Sequence, residues 1–268
     1  MAVTLSVRRL LILLLALVAA GCSGGPGPAL REARRDLERA EHLLEKNRFK
    51  EARRVVSAVR SRHPRDWQVA SSAFVFWLQA GRLDEASRVG REMVVQRDRL
   101  VEPHPLSHGE WSRIVTRVAT AVMEDGDEAG SAELMELALQ LDSSNPDAAN
   151  GVAWLLAEQG RDLDRALTLA KRAVRLRPDA GYIVDTLGWV YFRQKRYEEA
   201  ERWLIRAVRL SPGSAELRRH LAEAHLARGN LPSAYVEARK AVLLDPSERE
   251  GRALRARIQK LYTPPGPL

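Results

Sequence analysis

Residues 181–214 read GYIVDTLGWVYFRQKRYEEAERWLIRAVRLSPGS, two runs of apolar residues at helical spacing closed by a proline. Gly188 and Ala200 are small where two antiparallel helices come closest, and Ala207 is small where the next pair packs. Leu187, Tyr191, Tyr197 and Leu204 fill the space between them. Pro212 ends the second helix, because proline lacks an amide donor and its ring clashes with the preceding turn. The stretch predicts a two-helix unit that buries its apolar face only against similar units.

Such units are present on both sides. Ala215 to Glu248 repeats the pattern 34 residues later, with Leu221-Ala222, Gly229, Leu231, Ala234, Ala241 and Pro246. Pro146 to Ala180 gives Val152-Ala153, Gly160, Ala166, Ala173 and Pro178, with one extra residue in the turn GRDLDRA. Further toward the N-terminus the sequence diverges but keeps phase. Ala33 to Asp66 has Ala40, Asn47, Phe49, Ala52 and Pro64; Trp67 to Leu100 has Ala73, Gly81, Leu83 and Ala86; Ser112 to Asn145 has Ala119, Gly126, Ser131 and Ala138.

The spacing of Leu187-Gly188, Tyr191, Tyr197, Ala200, Ala207 and Pro212 resembles that of the tetratricopeptide repeat family. The resemblance implies an all-α fold, an α–α superhelical solenoid of about six helix-turn-helix units occupying residues 33–100 and 112–248. Residues 101–111, VEPHPLSHGEW, hold two prolines and no helical period, which predicts an inter-repeat loop. That loop is either a hinge or binding element, or a tolerated surface insertion. Residues 249–268 are expected to form a cap, a helix over Arg252 to Tyr262 with Leu254, Ile258 and Leu261 on one face, followed by the tail TPPGPL.

The first residues have the character of a targeting segment. Arg8 and Arg9 precede an apolar run of eleven, Leu10 to Ala20, too short to span a bilayer. Ala19-Ala20-Gly21 leads into Cys22, the one cysteine of the chain, and AAGC resembles the lipobox of bacterial lipoproteins, with Ala19 where that motif most often has leucine. The resemblance implies a signal peptide over residues 1–21, a lipid on Cys22, and a short tether within residues 22–32. In the Gram-negative sorting pattern that this resembles, Ser23 rather than aspartate after the cysteine implies the outer membrane, with the folded part facing the periplasm; the alternative is an inner-membrane or Gram-positive setting. The competing reading is an unmodified thiol beside an ordinary signal-peptidase site.

Catalytic signatures are missing: the sequence has no HExxH, no GxSxG, no glycine-rich phosphate loop and no second cysteine. A non-enzymatic protein without a cofactor or a small-molecule substrate is expected. His104, His108 and Glu110 have a spacing that could supply zinc ligands, but a solvated loop is the stronger reading. Forty-three Lys and Arg against 35 Asp and Glu give a formal charge of +8. The arginines recur through every unit on the outer faces of second helices, with no aromatic-interleaved basic strip, which argues against nucleic acid.

The resemblance also implies where partners bind. In tetratricopeptide arrays the concave face is lined by first helices, whose inward positions correspond here to Asn150 and Trp154, then Tyr182, Asp185, Trp189, Phe192 and Arg193, then Arg219 and Glu223. Trp154 and Trp189 would stand side by side, either anchoring a partner peptide or filling space between neighbouring first helices. The lysine and asparagine set with which some relatives clamp a C-terminal carboxylate is absent at these positions. The expected function is a membrane-anchored scaffold for protein partners, similar in layout to pilotin-type lipoproteins of type IV pili or to repeat lipoproteins of exopolysaccharide export. The alternative is an adaptor for cell-wall hydrolases or synthases.

Overall fold

The computed structural model describes residues 28–64, 66–96, 107–124 and 126–262. The leader, Cys22, His104 and the C-terminal tail lie outside the described residues.

Thirteen helices are formed among the described residues: α1 (Pro28–Glu45), α2 (Phe49–Arg62), α3 (Trp67–Gln79), α4 (Leu83–Gln96), α5 (His108–Glu124), α6 (Glu128–Leu141), α7 (Pro146–Gln159), α8 (Leu163–Leu176), α9 (Gly181–Arg193), α10 (Tyr197–Leu210), α11 (Ala215–Ala227), α12 (Leu231–Leu244) and α13 (Arg249–Leu261). Consecutive pairs from α1/α2 to α11/α12 form six hairpins and α13 follows as a cap, so the fold class is all-α with tetratricopeptide architecture. The chain divides into two compact units, residues 1–143 and 144–268.

Turn chemistry explains the six hairpins. Each bend between paired helices places a residue in the left-handed region, Asn47, Gly81, Gly126, Gly160, Lys195 and Gly229, and the longer bend after α7 adds a second, Asp162. Glycine meets that requirement without a side-chain clash. Helix starts are capped by side chains that satisfy orphan amides: Asp66 accepts from Val69 N (3.0 Å), Asp127 from Gly130 N (2.8 Å) and Asn145 from Asp147 N and Ala148 N (3.0 and 3.1 Å).

Within each hairpin the helices meet at small side chains. Ala52, Ala86, Ser131, Ala166, Ala200 and Ala234 occupy the same place in six second helices, and all are buried. Gly188 lies against Leu204, and a Cβ there would sit 2.7 Å from Leu204 Cγ and 3.1 Å from its backbone nitrogen. Leu187, Tyr191 and Leu204 fill the adjoining space and are buried.

In the N-terminal unit the stacking changes between the second and third hairpins. Here α4 packs directly on α6, where Gly90 faces Leu137, and Phe74 meets Trp111 edge-on with ring centroids 6.3 Å apart. Trp111, expected to close a loop, is 1% exposed and belongs to the core. Helix α5 already begins at His108, so the 101–111 loop reading is corrected for its last four residues. The cause is a capping box: Ser107 N and Oγ donate to Glu110 Oε2 (2.6 and 2.8 Å), while Glu110 N donates to Ser107 Oγ (3.3 Å).

Two other boundaries move. Pro28 opens α1, which makes residues 28–32 helix rather than tether, as suits proline in a first turn. The cap α13 buries Gly251, Leu254 and Ile258, the last two against Ala222, Ala234 and Ala238. Leu261 stays 58% exposed, because the buried stripe runs one turn closer to the helix N-terminus than expected. Among the described residues, no helix is long and apolar enough to cross a membrane.

Candidate functional site

The first helices α7, α9 and α11 of the C-terminal unit lie side by side, and the repeat length sets equivalent residues next to each other. Near their N-termini, Tyr182 Oη donates to Asp147 Oδ1 (2.6 Å), while Arg177 grips both oxygens of that carboxylate at 2.8 and 3.0 Å. About one turn further along, His220 Nδ1 lies 2.7 Å from Asp185 Oδ2. The next turn carries the aromatic row. Trp154 and Trp189 stack with centroids 6.3 Å apart, Trp189 stacks on Phe192 at 4.7 Å, and the His220 ring lies 4.4 Å from Trp189 and 5.5 Å from Trp154.

Polar contacts fix the far end. Trp189 Nε1 donates to Glu158 Oε1 at 2.5 Å, and Arg193 approaches the same oxygen at 3.5 Å. Arg219 spans toward the cap, meeting Glu248 at 2.8 Å and Glu223 and Glu250 at 3.3 Å each. Those carboxylates hold the Arg219 pKa above its ordinary value although burial opposes it.

Exposure divides the nine residues expected on this face. Tyr182 is 47% exposed, and Asn150, Trp154, Phe192, Arg193 and Glu223 are half-buried. Asp185, Trp189 and Arg219 are buried, at 3%, 6% and 9%. They form the floor of the face rather than its surface. Trp189 therefore fills space between neighbouring first helices, while Trp154 keeps an open indole edge.

His220 explains the difference. It is fully buried and occupies a place where the two preceding units carry Gly151 and Thr186. A ring where the other units have small residues is the signal a sequence reading could have used; the inward positions carried over from the family pass over this one. Burial lowers the His220 pKa, but contact with Asp185 outweighs it and the net shift is upward, so His220 keeps its proton to higher pH than a free imidazole does. Tyr182 is pushed up to about 12 by burial and by Asp147. Asn150 Oδ1, Asp185 Oδ1 and His220 Nε2 are buried atoms without a hydrogen-bond partner.

Of the histidine loop, His104 lies outside the described residues. Glu110 is held by Ser107 as a helix cap, and no group of three His, Cys, Asp or Glu among the described residues could hold a metal ion.

The tetratricopeptide repeat family matches residues 37–99, 153–215 and 186–249. In an alignment of 171 positions that covers 54% of this chain and 29% of the relative, the chain is 28% identical to a TPR repeat-containing protein of Pseudomonas aeruginosa. It spans under a third of the length of the curated relatives it matches. Among solved structures it is similar to the C-terminal part of a TPR repeat-containing protein from Cytophaga hutchinsonii (TM-score 0.51, 14% identity, 84% of this chain and 85% of that one). It is also similar to MamA from Desulfovibrio magneticus RS-1 (TM-score 0.50, 18% identity, 68% and 96%). The three matched segments and the six hairpins, seamed by alanine in five and by Ser131 in one, lead to one conclusion: the chain belongs to the tetratricopeptide repeat family.

Proposed function

We propose that this protein is an envelope scaffold, tethered by a lipid on Cys22 and docking a component of a cell-envelope assembly machine on its first-helix face. The observation that supports docking on this face is its built but open floor. Trp189, His220 and Asp185 are locked together beneath the half-buried edges of Trp154, Phe192 and Asn150 and the exposed Tyr182 ring. A rigid floor beneath aromatic and amide edges lets a partner bind without first ordering the receptor.

The envelope assignment rests on Arg8-Arg9, the apolar run Leu10 to Ala20 and the AAGC sequence before Ser23. Several acyl chains on one cysteine hold a protein at a membrane far more firmly than one. The outer membrane, facing the periplasm, is the proposed location. The fold is one that typically serves as a scaffold rather than a catalyst.

Affinity capture from envelope extracts with wild-type protein and with Trp154→Ala, read by mass spectrometry, tests this reading. Secretin, pilus or polysaccharide-export subunits lost in the variant support it. Cell-wall hydrolases or synthases lost in the variant move the assignment to an adaptor of wall enzymes. A partner list that Trp154→Ala leaves unchanged removes the docking surface from this face.

A further inference from the structure

The chain carries a formal charge of +8, yet the first-helix face of the C-terminal unit has the opposite sign. Asp147 in α7, Glu216 in α11 and Glu250 in the cap take the second position of their helices, where α9 carries Tyr182; Asp185 lies in the floor, and Glu158 and Glu223 flank the aromatic row. Arg177, Arg193 and Arg219, with His220 on Asp185, are the basic groups in contact with these six acids. Glu216 is exposed and close enough to His220 to raise its pKa.

The floor beneath these acids is closed. Asp185 is 3% exposed, and only one of its oxygens has a partner, His220; its Oδ1 is unsatisfied, as is Asn150 Oδ1 one helix away. His220 Nε2 is likewise without a partner; these atoms are sealed in the floor, so the charge that an occupant meets is that of the exposed Glu158 and Glu216 and the half-buried Glu223. Trp154 is half-buried and lies one turn before the exposed Glu158 on α7, so a cationic side chain can pack its stem against the exposed part of the indole while the carboxylate pairs with its head.

Resting on the docking function proposed above, we infer that the occupant of this face is a basic polypeptide segment, with an Arg or Lys over Trp154 paired to Glu158 and neighbouring cations along Glu216 and Glu223. An acidic segment meets like charge here, and an apolar helix finds its ridge interrupted by carboxylates. Because the protein as a whole is positive, a basic segment is repelled elsewhere on the chain, so its attraction is local to this face and sensitive to salt.

The test pans a random-peptide phage pool against the immobilised full chain and measures the selected peptides by fluorescence anisotropy at low and high salt. Wild type is compared with Trp154→Ala and with a Glu158→Lys/Glu216→Lys/Glu223→Lys variant, circular dichroism showing that both are folded. The inference expects peptides rich in Arg or Lys, with affinity falling at least about ten-fold on charge reversal and again with salt. Acidic or uncharged peptides that need Trp154 but survive charge reversal overturn the basic-segment inference and leave docking on this face intact. Peptides indifferent to Trp154 overturn both.

Discussion

His220 Nδ1 and Asp185 Oδ2 lie 2.7 Å apart, joining α11 to α9 through a buried pair with Trp189 stacked on the imidazole at 4.4 Å. Asp185 and Glu216 favour the imidazolium, while burial and Arg219 oppose it, and the net pKa is raised. A raised histidine contributes stability that is complete below its unfolded pKa of about 6.5 and is lost as pH rises through the folded value. His220→Gln is therefore expected to destabilise by about 1–3 kcal/mol at pH 5.5 and by less at pH 8.5, measured by urea unfolding. His225 works in the other direction: burial lowers its pKa against Glu201 and Glu237, so its contribution is present at high pH and lost on acidification. Comparing the variant with wild type at each pH isolates His220. An equal deficit at both pH values contradicts the paired imidazolium.

Lys195 occupies the left-handed position (φ 62°) that Gly81, Gly126, Gly160 and Gly229 occupy in other hairpins. A residue with a Cβ there carries about 1–2 kcal/mol of strain, part of which glycine gives back through its freer unfolded chain. Lys195→Gly is expected to raise stability by about 0.5–1 kcal/mol, while Lys195→Ala leaves it nearly unchanged. Loss of stability in the glycine variant, read by thermal or urea unfolding, contradicts this account of the turn.

The two stacked tryptophans are expected to separate on mutation. Trp189 is buried and bonded to Glu158, so Trp189→Ala opens a cavity and costs about 3–5 kcal/mol. Trp154 keeps an exposed edge, and Trp154→Ala costs about 1–2 kcal/mol of buried apolar area while weakening partner capture. Equal stability losses contradict the division between floor and surface.

The fold was legible in the sequence because its constraint is steric and local. Gly188, Ala200 and Ala207 are small because backbones or neighbouring units meet there, and they recur at a fixed interval. The site was legible only in part. The position of Trp154 beside Trp189 follows from the repeat, but the burial of Trp189 depends on His220 two hairpins away from Trp154, a contact no periodicity encodes. Trp111 misled for a related reason: Pro103 and Pro105 suggested a loop, whereas the Ser107–Glu110 box starts a helix in time to bury that ring.

Cys22→Ser tests the proposed anchor. The variant is expected in the soluble fraction after cell disruption, folded by circular dichroism, while wild type sediments with membranes and incorporates labelled palmitate. A variant that still sediments, or a wild type without label, contradicts lipidation at Cys22.

The most direct measurement of the central claim is photo-crosslinking in cells, with benzoylphenylalanine at Tyr182, 47% exposed on the first-helix face, and in parallel at Leu243, 68% exposed on second helix α12. Docking on the first-helix face predicts a discrete protein adduct from position 182 that Trp154→Ala removes, and none from position 243. An adduct from position 243 alone contradicts it.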